Sequence, residues 1–167
     1  NVMAALAIAE AAGVPSDITI DVTKNFHAVE HRIEKVDTID GVVYYNDSKG
    51  TNTDASIKAI KAMSRPTLLI AGGYNKNSPY DDFIESFDGK IKELVLIGAT
   101  AEKIKTCALE HGFTNIKMAN SLEEAVSICK ADSENGDAVL LSPACASWDM
   151  FKSYEQRGRL FKDLVKG

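Results

Sequence analysis

Two lysines and a set of hydroxyls mark where this sequence could do chemistry. Lys49 lies in NDSKGTN (46–52), Lys76 in AGGYNKN (71–77), and Ser147 closes SPACAS (142–147). Each segment follows an apolar, β-prone run. An ammonium is a compact point charge suited to a phosphate or a carboxylate. A helix that starts just after such a loop adds backbone N–H groups aimed at an anion. The glycines of AGG let a ligand approach the backbone, and Ser147 is placed to cap a helix or donate its hydroxyl. Strand-end Gly, Asn and Ser also serve ordinary turns; two lysines just after strands on one side of a sheet are less easily read that way. The chemistry favoured is the binding and alignment of an anionic ligand.

Other chemistries lack their signatures. There is no GxxxxGK[ST] phosphate loop, no GxGxxG dinucleotide fingerprint and no GxSxG nucleophile elbow. His27, His31 and His111 are too widely spaced to suggest a metal site. His111, beside Gly112, reads as a helix C-terminal residue favoured by the dipole. Cys145 near a helix start could be imagined as a nucleophile, but no partner base is evident and the structural reading is preferred. Cys107 and Cys129 fall in apolar helical patterns and read as buried small hydrophobes in a reduced, cytoplasmic setting.

The elements that must position these loops alternate along the chain. Residues 1–12 read as an Ala-rich helix ended by Gly13 and Pro15, with a short helix expected near 17–25. Asp40-Gly41 between IEKVDTI and VVYYND predicts a β-hairpin. Strands are expected at 67–73, 93–98, 115–119 and 137–143, and helices at 53–63, 80–87, 100–111 and 121–131. Ser121 and Glu124 suggest a capping box on the last of these. A final helix over 147–165 would carry Phe151, Tyr154, Gly158, Phe161 and Val165 on one stripe. Short apolar strands alternating with helices imply a doubly wound, mostly parallel α/β sheet, Rossmann-like, with an antiparallel edge strand. Ligands of such sheets bind beyond the carboxyl ends of the strands, where the three loops would lie.

With 167 residues the chain has the length of one ordinary domain. A net charge of -5 argues against nucleic acid or an anionic membrane as partner. No apolar run approaches the roughly 20 residues of a membrane span, and residues 1–12 lack the basic leader of a signal peptide. The abrupt opening in AALAIAEAAG is expected of a fragment of a longer protein.

HRIE (31–34), NDSKGTNTDAS (46–56), LLIAGGYNKN (68–77) and LLSPACASWDMFKSYEQRGRLF (140–161) resemble, in order and spacing, the Mur ligases, and among them the members that add D-glutamate. The resemblance covers residues 29–165. It implies an ATP-dependent acid–amino-acid ligase acting in peptidoglycan synthesis. UDP-N-acetylmuramoyl-L-alanine would be phosphorylated by ATP, and the amine of D-glutamate would attack the acyl phosphate. It also implies that residues 1–28 end a central ATP-binding domain and connector, and that residues 29–167 form the amino-acid-binding domain. The fragment alone would be inactive. ATP and Mg2+ would be held mainly by the missing domains, and the parent would be a cytoplasmic monomer.

By the same resemblance, Thr51 and Lys76 would bind the α-carboxylate of D-glutamate. Ser147, the backbone at Trp148, and Tyr154 would receive its side-chain carboxylate. Asn1, His31, Arg32 and Asp47 would contact the nucleotide, and Lys49 would face the phosphates. Tyr154, Trp148 and the Tyr74-Asn75 pair depart from the residues expected there. Three readings stand beside this one: a non-catalytic module for an anionic metabolite, a folylpolyglutamate synthase-like ligase domain, and a nucleotide-dependent oxidoreductase.

Overall fold

The structure, a computed structural model, describes residues 2–25, 29–74 and 78–167. Two helices lead, α1 (Val2–Ala11) and α2 (Ser16–Lys24). A hairpin follows, β1 (Glu34–Ile39) and β2 (Val42–Asn46). Asp40 and Gly41 both take positive φ, 50° and 80°, which gives the turn the twist of the flanking strands. The rest alternates: α3 (Thr53–Ala62), β3 (Thr67–Ala71), α4 (Asp81–Glu85), β4 (Ile91–Leu96), α5 (Ala101–Glu110), β5 (Ile116–Met118), α6 (Leu122–Asp132), β6 (Ala138–Leu141) and α7 (Tyr154–Lys166).

The six strands form one sheet in the order β1-β2-β6-β3-β4-β5, antiparallel only between β1 and β2. This is the expected doubly wound sheet with an antiparallel edge. Strands buried on both faces must be apolar throughout, and every residue of β3 and β6 is buried. One face is covered by α3, α4 and α5, with Ile60, Phe83, Ile84 and Ile104 packed on Leu69, Leu94 and Leu96. The other is covered by α6 and α7, with Leu122, Val126, Phe161 and Val165 packed on Leu68, Ile70, Val139 and Leu141. Right-handed crossovers account for this division. The chain runs outward from β2 through β3 and β4 to β5, then doubles back to place β6 in the middle.

Three expectations need correction. The last helix begins at Tyr154, not at residue 147, because Ser147 O accepts from Met150 N (3.1 Å) and Phe151 N (2.8 Å) in an isolated turn. The chain then extends, and Ser153, in β conformation, caps α7 by accepting from Gln156 N. Ser147 is therefore not a helix cap, and Phe151 lies outside the helical stripe. Secondly, Ser121 does cap α6, but Glu124 reaches past it to Asn120 N (2.8 Å), so the box is not reciprocal. Thirdly, Cys129 is buried as expected, whereas Cys107 is only half-buried.

Candidate functional site

Because β2, β6, β3 and β4 run parallel, the segments that follow them emerge at one edge of the sheet. Residues 47–52 follow β2, 142–147 follow β6, 72–74 follow β3 and 97–100 follow β4. The edge is knit together by polar groups that are themselves buried. Asp47, 4% exposed, accepts from Ser142 Oγ (2.7 Å) and from Ile33 N (3.2 Å). Ser142 has given its only proton to that carboxylate, so Ser56 Oγ, 2.8 Å away, supplies the proton of the second bond. Ser56 in turn accepts from Ala144 N at 2.9 Å. Burial pushes the Asp47 carboxyl up to about 6; the Ser142 hydroxyl, the Ile33 N–H, Arg32 and Arg157 act against that rise.

Arg157, in the first turns of α7, is 1% exposed and joins two of these loops. Its Nε donates to Ser48 Oγ (3.0 Å) and its Nη2 to Ser48 O (2.9 Å), while Nη1 and Nη2 both reach Cys145 O (3.3 Å). Desolvation lowers its pKa to about 10, which still leaves it charged near neutrality. The next residue, Gly158, must lack a side chain: a Cβ there would stand 2.3 Å from His31 Nδ1. The third loop is equally close. Gly72 N donates to Pro143 O and Tyr74 N to Ala146 O, both at 2.8 Å. A Cβ on Gly73 would lie 2.4 Å from Ala146 O.

The sequence-predicted residues distribute over this edge as follows. Lys49 N donates to His31 O (3.0 Å), and its Nζ stands 5.7 Å from the centre of the Tyr154 ring. Arg32 is exposed, and with Asp47, Lys49, Gly50 and Lys58 it lines an open cleft of about 400 Å³. Thr51 is half-buried next to Asn52, whose side chain caps α3 by accepting from Ala55 N (2.9 Å). Ser147 is buried, and Trp148 is 65% exposed with its ring 5.7 Å from that of Tyr74. His31 is buried in a left-handed conformation (φ 64°). Its Nδ1 accepts from Asn46 Nδ2 (2.9 Å), which places any proton of the neutral ring on Nε2. Burial lowers its pKa, with Glu30, 3.6 Å from Nε2, opposing. Asn1, His27 and Lys76 lie outside the described residues.

Cys145 is a structural thiol. Its sulfur sits 3.2 Å from Tyr80 Oη and 3.3 Å from Thr100 Oγ1, and burial raises its pKa. Sequence reasoning missed the connecting residues Asn46, Ser56, Ser142, Asp149 and Arg157. Asp149 Oδ2 accepts from Ala99 N (2.9 Å) and so ties the turn that bears Trp148 to the loop before α5. None of the five carries a spacing signal, since the bonds by which Ser56, Ser142, Asp149 and Arg157 reach Ala144, Asp47, Ala99 and Ser48 each span at least 50 residues of chain, and that of Asn46 to His31 spans 15.

A family model described as "Mur ligase, glutamate ligase domain" matches residues 31–145. The chain belongs to the Mur ligase family. This Mur ligase domain is 59% identical over 165 residues to the UDP-N-acetylmuramoylalanine–D-glutamate ligase of Lachnospira eligens, covering 99% of the chain and 37% of that protein. It is 50% identical to the ligase of the same name from Clostridioides difficile, again covering 99% and 37%. The chain thus spans about 37% of the length of the curated relatives it matches. Among solved structures it is similar to UDP-N-acetylmuramate–alanine ligase from Thermotoga maritima (TM-score 0.71, 13% identity), covering 99% of this chain and 36% of that one. It is also similar to a bifunctional folylpolyglutamate synthase/dihydrofolate synthase from Yersinia pestis (TM-score 0.68, 14% identity), covering 96% and 37%. At those identities the structural likeness bears on the fold alone.

Proposed function

We propose that this Mur ligase domain grips D-glutamate and closes over ATP in a parent ligase that joins D-glutamate to UDP-N-acetylmuramoyl-L-alanine through an acyl phosphate. The observation that carries the reading is the joining of the 47–52 and 142–147 loops into one rigid edge by Arg157 and the Asp47–Ser142 pair. Two reactants that must meet need such fixed donors, because alignment and charge neutralisation supply much of the rate. The names borne by relatives at 50–59% identity favour D-glutamate over other amino acids.

In this reading Thr51 and Lys76 hold the α-carboxylate, and Ser147, the Trp148 backbone and Tyr154 receive the side-chain carboxylate. Lys49 faces the phosphates. Arg32 and Asp47 contact the nucleotide, with His31, bonded to Asn46, as their neighbour on the nucleotide side. Asn1 belongs to the adenine side. Both Asp47 oxygens are already engaged by Ser142 and Ile33, so Mg2+ is assigned to carboxylates of the central domain. Residues 1–28 are assigned to the end of that domain, which fits the absence of any buried residue in α1 and α2. The parent is taken to be a cytoplasmic monomer; no described helix is long and apolar enough to cross a membrane.

The test is turnover by the full-length parent. ATP should be consumed only when UDP-N-acetylmuramoyl-L-alanine and D-glutamate are both present. Equal turnover with L-glutamate or meso-diaminopimelate would overturn the assignment. Lys76→Ala should raise the D-glutamate KM about ten- to a hundred-fold, the worth of a charge-assisted hydrogen bond.

A further inference from the structure

Away from that edge, on the flank formed by α4 and α5, four side chains of metal-ligating type converge. Asp81 and Glu85 stand one turn apart on α4, and Cys107 lies one turn before His111 at the end of α5. Helical residues at this spacing share a face. His111 Nε2 lies 3.8 Å from Asp81 Oδ1 and 3.7 Å from Glu85 Oε1. An oxygen of Asp81, the sulfur of Cys107 and a ring nitrogen of His111 all fall within 4.8 Å of one another. Ligand atoms around a tetrahedral zinc, bonded at about 2.0–2.3 Å, sit roughly 3.3–3.8 Å apart; the sulfur, 3.8 Å from His111 Nδ1, would have to turn toward the Nε2 side to complete the set.

The imidazole is already set for the task. His111 Nδ1 is 2.9 Å from Cys107 O, and a carbonyl only accepts, so Nδ1 carries a proton. Metal-bound histidines commonly donate their other ring N–H in this way. Nε2 is thereby turned toward two carboxylates, an environment that calls for a positive charge on or beside it. Among the described residues, neither Asp81 nor Glu85 has another ion-pair partner. Lys103, the nearby cation, is directed to Ser78 O (3.0 Å) and the Tyr80 ring. The other such group, Glu30–His31–Glu34, differs in this respect, since Lys162 Nζ already fills it at 2.6 Å and 3.1 Å from the two carboxylates.

We propose that Asp81, Glu85, Cys107 and His111 form a binding site for a zinc-type divalent cation that clamps α4 to α5. A thiolate, an imidazole and carboxylates together favour a borderline-soft ion over magnesium or calcium. On binding, the sulfur–metal bond replaces the S–H bond and the thiol proton leaves to solvent. The clamp would act on α4, five residues long and too short to hold itself.

The test uses the chain after chelator treatment, titrated with ZnCl2 by calorimetry and with CoCl2 by absorbance. One equivalent of Zn2+ should bind and raise the melting temperature, and Co2+ should give a thiolate-to-metal charge-transfer band. His111→Ala should weaken Zn2+ binding by at least about ten-fold, and Cys107→Ser should abolish the charge-transfer band. Both sites are only partly buried, so circular dichroism should show the variants folded; Asp81→Asn, on an exposed side chain, serves as a third probe. Absence of Zn2+ binding, binding unchanged in all three variants, or a cobalt complex without the sulfur band would each overturn the proposal.

Discussion

Two regions of this chain solve opposite problems. The strand-end loops hide polar groups: Asp47, Ser48, Ser56, Ser142 and Arg157 are each no more than 4% exposed. The leading helices display apolar ones: Met3 is 78% exposed and Ile8 71%. Burying polar atoms is costly unless every one finds a partner, so the loops are fixed by a network that tolerates few changes. Exposed apolar helices carry no such internal constraint, and what they lack is a surface to cover them. Constraint therefore belongs to the edge at the strand ends, and tolerance of change to the leading helices.

Replacing Arg157 by Met should break the stiff side of this contrast most severely. It would leave Ser48 O and Cys145 O without their donor, at about 1–3 kcal/mol for each buried acceptor, and the urea midpoint of the chain should fall accordingly. A change on the exposed side of α1 such as Met3→Ser should alter stability by less than about 0.5 kcal/mol; an equal loss at both sites would erase the distinction.

Asp47→Asn sharpens the comparison through pH. Because the folded carboxyl is raised from 3.8 to about 6, the native state binds the extra proton between those values. Stability from this group therefore falls as pH rises from about 4 to 6, and the ionised form is the costly one above that. The variant should be relatively more stable than the parent at pH 8 than at pH 4, by up to about 3 kcal/mol, as read from paired denaturation curves. A difference independent of pH would mean that the carboxyl titrates normally.

Ser153→Ala should cost about 1 kcal/mol by removing the cap of α7. Because α7 carries Arg157 and Tyr154, the loss should appear as faster amide exchange in its first turn. An effect of about 0.5–1.5 kcal/mol is expected at the Tyr74–Trp148 ring pair. Trp148 is the only tryptophan, so Tyr74→Ala should shift its fluorescence maximum to the red; an unchanged spectrum would show that the rings do not shield one another.

What the sequence disclosed follows from the range of the forces involved. Strand runs such as Thr67–Ala71 and the Asp40-Gly41 turn are local patterns, and they were legible. The charged and hydroxyl residues of the loops were legible too, because glycine-rich strand ends advertise a place for ligands. The start of α7 was misread because apolar periodicity runs on through Phe151, while the Ser147 turn depends on Asp149 reaching Ala99, 50 residues away. Arg157 was given no role beyond its place in the last motif block. Its burial depends on Ser48, and no periodicity reports a contact across 109 positions. The α4–α5 cluster escaped notice for the same reason, since histidine spacing alone says nothing of a cysteine and two carboxylates on adjacent helices.

The place of β6 has a consequence for how the chain is made. It is the last of the six described strands to be made, yet it occupies the slot between β2 and β3. Until Ala138–Leu141 emerge, the hairpin and the β3–β4–β5 ladder have no hydrogen bonds to one another within the sheet. A nascent chain stalled before residue 138 thus holds two half-sheets with an open seam, and a single four-residue strand converts them into one domain. Quality control that senses unpaired strand edges would find this seam open until β6 is made, and the edge that joins the 47–52 and 142–147 loops would form only after it.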